Sequence, residues 1–187
     1  MDEAFLLILS GPPGAGKTTV SRIVASHFEP SAVIESDWFW TTVVNGSVSP
    51  WENEAEHQNI AMLRASLSSA SRFVDAGYVT VLDAHVGPWY MPVVNEELRK
   101  LRVPVSYVVL RPMLEECIGR ATARGNETSH SMTPSGEGPI RHMYQEYARL
   151  GAYEANVLDN SDGDENATAD EVIEAVADGR HLLAVTV

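Results

Sequence analysis

The run Gly11-Pro12-Pro13-Gly14-Ala15-Gly16-Lys17-Thr18 fits the spacing G-x-x-x-x-G-K-[ST] at every constrained position. The chemistry of such a run is anion binding. Its glycines let main-chain N–H groups turn inward around phosphate oxygens, and a helix starting near Gly16 adds the positive end of its dipole. Lys17 has the reach to meet the β- and γ-phosphates of a nucleoside triphosphate. The Thr18 hydroxyl suits a magnesium ion, and Thr19 continues the cradle. A Gly-Pro turn before an unrelated helix is the plain alternative, but strand, loop, lysine and threonine are all in register. The run speaks for triphosphate binding. It leaves the fate of the γ-phosphoryl group to the rest of the chain.

Three acidic residues follow short apolar runs. Glu35 and Asp37 lie at the end of Ala32–Glu35, and Asp83 ends Tyr78–Leu82. Ligands of open α/β sheets bind beyond the carboxyl ends of the strands, so these carboxylates are expected near the phosphate loop. Residues two apart on a strand share a face. Phosphoryl transfer needs a carboxylate that orients the acceptor hydroxyl and takes its proton, and Asp37 is the candidate. It also suits a helix cap, and the two roles are compatible. Glu35 is a candidate to hold a water on the metal. Asp83 has the layout of a Walker B aspartate, poised for metal or acceptor, or else an ordinary strand-end turn residue. His85 is a candidate for the acceptor pocket or a surface hydrogen-bonding group.

Arg120 and Arg124 are four apart, before a polar stretch that continues to Gly138. That spacing puts both guanidiniums on one helix face. They suit a lid over about 124–138 that closes on the polyphosphate, or a helix C-terminus whose dipole they offset. Arg111 and Arg141 are further candidates with structural alternatives. Trp38, Phe39, Trp40, Trp51, Trp89 and Tyr90 all follow the second and third apolar runs. They form either an aromatic-walled acceptor pocket, with Trp38, Trp40 and Trp89 beside Asp37, Asp83 and His85, or a secondary core.

The elements that must position these groups alternate. Strands are expected at Phe5–Leu9, Ala32–Glu35, Tyr78–Leu82, Val105–Leu110 and Ala155–Leu158. Helices are expected over Gly16–Phe28, Asp37–Val44, Glu52–Ala76, Val93–Leu101, Leu114–Ala123, Ile140–Leu150 and Ala169–Val176. Leu182–Val187 reads as a last strand or a tail. Strand–helix alternation with buried-type strands implies a mostly parallel five-stranded sheet with helices on both faces. No repeat or linker divides the 187 residues, so one domain over 1–187 is expected.

Composition narrows the classes further. Hydrophobic residues make up 44%, the formal net charge is −13, and Cys117 is the single cysteine. No internal disulfide is possible, which fits a reducing cytosol, and Cys117 reads as a small core residue. Met1-Asp2-Glu3 is acidic where a secretion signal would be basic, and no apolar run approaches membrane-spanning length. A cytoplasmic location is expected, with no membrane partner. The acidic field disfavours nucleic acid.

Several segments resemble the small P-loop kinases that include chloramphenicol phosphotransferase and the zeta-toxin-like enzymes. They are Ser10–Thr19, Ile34-Glu35-Ser36-Asp37, the run Arg120–Gly125, and the run Tyr153–Asp159. The resemblance is scattered over Phe5–Val176. It implies a nucleoside-kinase type of P-loop fold with a lid, ATP and Mg²⁺ as cofactors, Asp37 as general base, and lid arginines at 120 and 124. It leaves the acceptor open. The expectation is therefore transfer of the γ-phosphoryl of ATP to a hydroxyl of a small molecule. A nucleic-acid end kinase would need a basic groove. A nucleotide-dependent ATPase or switch without an acceptor is the alternative from another class; an N-K-x-D guanine-reading motif is absent.

Overall fold

In a computed structural model of the chain, residues 3–124 and 136–183 are described. The strands are β1 (Leu6–Ser10), β2 (Ser31–Glu35), β3 (Val79–Asp83), β4 (Val105–Leu110) and β5 (Val157–Leu158). They form one parallel sheet in the order β2-β3-β1-β4-β5. The helices are α1 (Lys17–Ser26), α2 (Asp37–Trp40), α3 (Glu56–Asp75), α4 (Met91–Leu98), α5 (Leu114–Arg124), α6 (Glu137–Tyr147) and α7 (Glu165–Ala177).

Alternation along the strands builds two apolar layers. Leu6 and Ile8 of β1 join Leu82, Tyr107 and Val109 on one face, packed by Leu63 and Leu67 of α3 and Val94 of α4. Leu7 and Leu9 point the other way, with Val81 and Val108, into Val20 and Val24 of α1 and Val172 of α7. Because β1 and β3 are buried on both faces, they read as continuous apolar runs. A smaller cluster of Cys117, Ile118 and Ile140 joins α5 to α6. Burial pushes the Cys117 thiol up to about 11, as expected of a packing residue.

Several boundaries differ from the sequence expectation. The helix begun at Asp37 stops at Trp40 rather than Val44. There the Thr41 and Thr42 hydroxyls fold back onto the Trp38 and Phe39 carbonyls, and β-branched Val43 and Val44 follow. The expected strand at Ala155–Leu158 shrinks to two residues, because Gly151–Asn156 winds into a 3-10 segment. At the chain's end, Ser106 bridges Leu182 antiparallel, beside β4 where β5 no longer reaches. The remainder of Leu182–Val187, and most of the expected lid, lie outside the described residues.

Leu67 is fully buried between α3 and the sheet. Leu67→Ala is expected to cost about 2–5 kcal/mol of unfolding free energy. Urea titration should show a lower midpoint at an unchanged slope.

Candidate functional site

The loop after β1 is shaped by contacts that exclude side chains. A Cβ on Gly11 would stand 2.2 Å from the Leu110 carbonyl oxygen, and one on Gly14 would stand 2.1 Å from that of Cys117. Both glycines have positive φ, 145° and 80°. The loop is thereby pressed against the end of β4 and the first turns of α5. Within it, the Ala15 N–H donates to the Pro12 carbonyl at 3.2 Å. The first turn of α1 contains no acidic side chain and has no side-chain cap. A helix start of that kind suits an anion.

Lys17 is 7% exposed. Its ammonium donates to the carbonyls of Gly11 and Pro12 at 3.0 and 3.2 Å and lies 3.5 Å from His85 Nε2. The side chain is thus folded across the loop it serves.

The period-2 rule places the carboxylates. Val81 packs on the α1 side of the sheet, so Asp83, two residues on, faces α1 as well. There the Thr18 hydroxyl donates to Asp83 Oδ2 at 2.6 Å. Val33 packs on the same side, and Glu35, two residues further along β2, meets Arg22 one turn down α1. Arg22 donates to Glu35 Oε1 from Nη2 at 2.6 Å and from Nε at 3.1 Å. Glu35 stands beside Asp83 in the β2–β3 register, but its oxygen is engaged by Arg22 rather than turned toward Thr18. Burial raises the Asp83 carboxyl to about 6. Lys17 and the Thr18 hydrogen bond pull it down, and the Asp37 and Glu35 charges push it up again.

Magnesium takes oxygen ligands and keeps several waters, so one or two protein groups plus substrate phosphates suffice. The Thr18 hydroxyl and the Asp83 carboxylate, side by side at the loop, fit that donor set. Among the described residues no group of three or more His, Cys, Asp or Glu side chains forms a metal cage.

Two cavities flank this centre. The first, about 260 Å³, is walled by Trp40, Trp51, Trp89 and Tyr90. Asp37, at the start of α2, and His85 line it as well, and α6 adds His142, Met143 and Glu146. Asn59 braces the wall: it accepts from the Trp40 indole at 3.3 Å and donates to the Pro50 carbonyl at 2.7 Å. Burial and the nearby Lys17 charge hold the His85 imidazole well below its ordinary value, hence neutral. Trp38 does not line this cavity and is 48% exposed.

The second cavity, about 250 Å³, lies across the loop and is lined by Gly14, Gly16, Thr19, Arg120, Asn160 and neighbours. The Arg120 guanidinium donates to the Asn160 carbonyl at 3.2 Å and lies 3.8 Å from Glu116. It therefore stands on the side of Thr19 and Gly16, away from Lys17 and His85. The Arg124 side chain is outside the described residues. Arg111 ties β4 to Glu154 and to the Tyr147 carbonyl, and Arg141 pairs with Glu115 and Glu137.

Asn160 carried no sequence signal beyond its place after β5, yet it is 5% exposed and donates to the Ala15 carbonyl at 2.9 Å. The α6 residues of the aromatic cavity were equally silent, because only docking brings that helix to the mouth of the sheet.

A family model described as AAA domain (AAA_33) matches residues 6–149. The chain belongs to this family. No curated protein is significantly similar to this AAA domain in sequence. Its fold recurs in solved structures of P-loop kinases. The APS kinase CysC of Mycobacterium tuberculosis, in complex with AMPPNP and APS, is 15% identical, with 95% of this chain and 99% of that one covered and a TM-score of 0.67. The shikimate kinase of Acinetobacter baumannii, in complex with shikimate, is 20% identical over 95% and 94%, with a TM-score of 0.60. The tunicamycin resistance protein of Deinococcus radiodurans is 14% identical over 96% and 98%, with a TM-score of 0.66. All three share the fold of this chain. No described helix of the AAA domain is long and apolar enough to cross a membrane.

The raised Asp83 carboxyl makes a pH prediction for the metal-free protein. Between its ordinary value of 3.8 and about 6, the folded chain binds more protons than the unfolded one. Asp83 therefore costs the fold stability as pH rises through that window. Asp83→Asn keeps an acceptor for Thr18 and removes the buried charge. Melting in EDTA is expected to show the variant more stable at pH 7, by roughly 2–3 kcal/mol, with the gain fading toward pH 4.

Proposed function

We propose that this AAA domain is an ATP-dependent kinase that moves the γ-phosphoryl group of ATP to a hydroxyl of a small molecule. The observation that carries the reading is the position of His85. It lies 3.5 Å from Lys17 and also lines the aromatic cavity, so phosphate loop and cavity meet at one side chain. An acceptor in that cavity would have its hydroxyl beside a γ-phosphate gripped by the loop amides and Lys17.

Asp37 borders the same space. Its carboxylate would orient the hydroxyl and take the proton as the acceptor oxygen bonds to phosphorus. The bond from phosphorus to the bridging oxygen of ADP breaks in the same step. Lys17 would turn from its two carbonyls to the phosphate oxygens, a short rotation of an already folded side chain. Thr18 and Asp83 would hold a magnesium ion, which when bound would supply neutralisation of phosphate charge. Glu35, anchored by Arg22, would act through its field on Asp83 rather than as a ligand. Arg120 would serve the nucleoside side, where its planar guanidinium suits a base face or the α-phosphate. Arg124 keeps the role of closing over the phosphates. The solved kinases bound to APS and to shikimate support a small acceptor.

ADP release measured with ATP and Mg²⁺, with and without a panel of alcohols, sugars and nucleosides, tests the reading. Acceptor-stimulated release is expected; turnover indifferent to every acceptor would point instead to an ATPase or switch. Asp37→Asn should lower transfer by about 10²–10⁴-fold. ATP binding by the variant, followed by calorimetry, should stay intact.

A further inference from the structure

The walls of the aromatic cavity say what kind of charge they accept. Trp40, Trp51, Trp89 and Tyr90 line the space with aromatic rings. Trp89 is held edge-on against Tyr147 with ring centroids 5.4 Å apart, and Trp40 is pinned through its indole N–H to Asn59. Two of the rings are thereby held in place, and the negative faces of such rings attract cations.

The charged side chains lining the cavity are acidic. Asp37 stands at the inner end, beside the phosphate centre, and Glu146 of α6 contributes from the exposed side. Glu146 forms no ion pair among the described residues. The charge of Glu56 on α3 is felt at Tyr90 as well, adding to burial in pushing that phenol up. No lysine or arginine is among the described lining residues. Of the two histidines, His85 lies at the inner end against Lys17, and His142 is exposed on α6. An acceptor bearing a carboxylate, sulfate or phosphate would meet two like charges here and no guanidinium fork, the usual partner for such groups. A cation would meet two carboxylates and a set of rings.

We infer that the acceptor is a small amino alcohol: a ring or apolar scaffold carrying a protonated amine, seated with its ammonium among the tryptophan rings near Glu146 and its hydroxyl at Asp37. The inference rests on the reading of this cavity as the acceptor site, and it adds a charge requirement that the kinase reading alone does not contain. The acidic surface implied by a net charge of −13 would favour approach of the same class of molecule.

Binding can be read without turnover, because three of the chain's tryptophans line the cavity. The probes are trans-4-aminocyclohexanol, trans-1,4-cyclohexanediol and trans-4-hydroxycyclohexanecarboxylate, which share one scaffold and differ in charge. Titrated against intrinsic fluorescence with ADP and Mg²⁺ present, the ammonium compound is expected to bind at least about tenfold more tightly than the carboxylate, with the diol between them. Glu146→Gln should narrow the ratio of ammonium to diol affinity by about threefold to tenfold, and Glu146→Lys should shift preference toward the carboxylate. Glu146 is exposed on its helix, so neither change threatens the fold. Carboxylate binding as tight as or tighter than ammonium binding overturns the inference. So does an absence of saturable ammonium binding, or a ratio that ignores both Glu146 variants. Acceptor-stimulated ADP release by neutral or anionic alcohols at lower concentrations than by the ammonium compound would sink the charge requirement and leave the kinase reading standing. Stimulation by no alcohol at all would sink that reading too.

Discussion

A single contact, the Thr18 hydroxyl on the Asp83 carboxylate at 2.6 Å, ties the helix after β1 to the end of β3. It exists because the two strands are neighbours in register, with Leu9 opposite Asp83, and because period-2 alternation turns Asp83 to the side on which α1 packs. Strip the charge from that pair and the buried sheet end gains stability, at the expense of the carboxylate beside the loop hydroxyl. The carboxyl stands near 6 because the apolar layers that stabilise the fold also exclude water from it. Stability and site chemistry are therefore opposed at one residue, the usual condition of a functional centre.

Around that contact the polar groups divide by sheet face. On the α1 side lie Thr18, Asp83, Glu35 and Arg22, a chain of hydroxyl, carboxylates and guanidinium. Toward α3 and α6 the strand ends open instead onto aromatic rings, with Asp37 and Glu146 as the carboxylates among them. His85 stands where these two environments meet. Its imidazole touches the Lys17 ammonium on one side and borders the aromatic cavity on the other, with Nδ1 buried and without a partner. A buried nitrogen left so is unusual in a packed core.

The glycines of the loop serve a second purpose. Gly11 and Gly14 bring the phosphate cradle into contact with backbone carbonyls of β4 and α5. Below the loop, Ser10 Oγ donates to the Val86 carbonyl at 2.7 Å and lies 3.2 Å from the Tyr147 hydroxyl at the end of α6. Helices on both sides of the undescribed segment are thereby anchored to the same loop. Movement of either would be felt at the loop itself.

Much of this was legible in the residues alone. The phosphate loop declares itself because every one of its constrained positions has a local reason: a turn, a close approach, a cation, a hydroxyl. The five strands and their parallel pairing follow from short apolar runs alternating with amphipathic ones. The acidic residues at the strand ends follow from the rule that open sheets bind ligands there. What the chain could not announce was the partner each group would find. Glu35 went to Arg22, and Arg120 to the Asn160 carbonyl, because those pairings depend on how helices lie against the sheet. Trp38 and Trp40 are two apart on one short helix, and rotation of that helix sent one outward and the other into the cavity. Asn59, Glu146 and Asn160 entered the site only through docking of α3, α6 and the loop after β5. Local chemistry is written in spacing along the chain; the company each side chain keeps is set by long-range packing, which no spacing encodes.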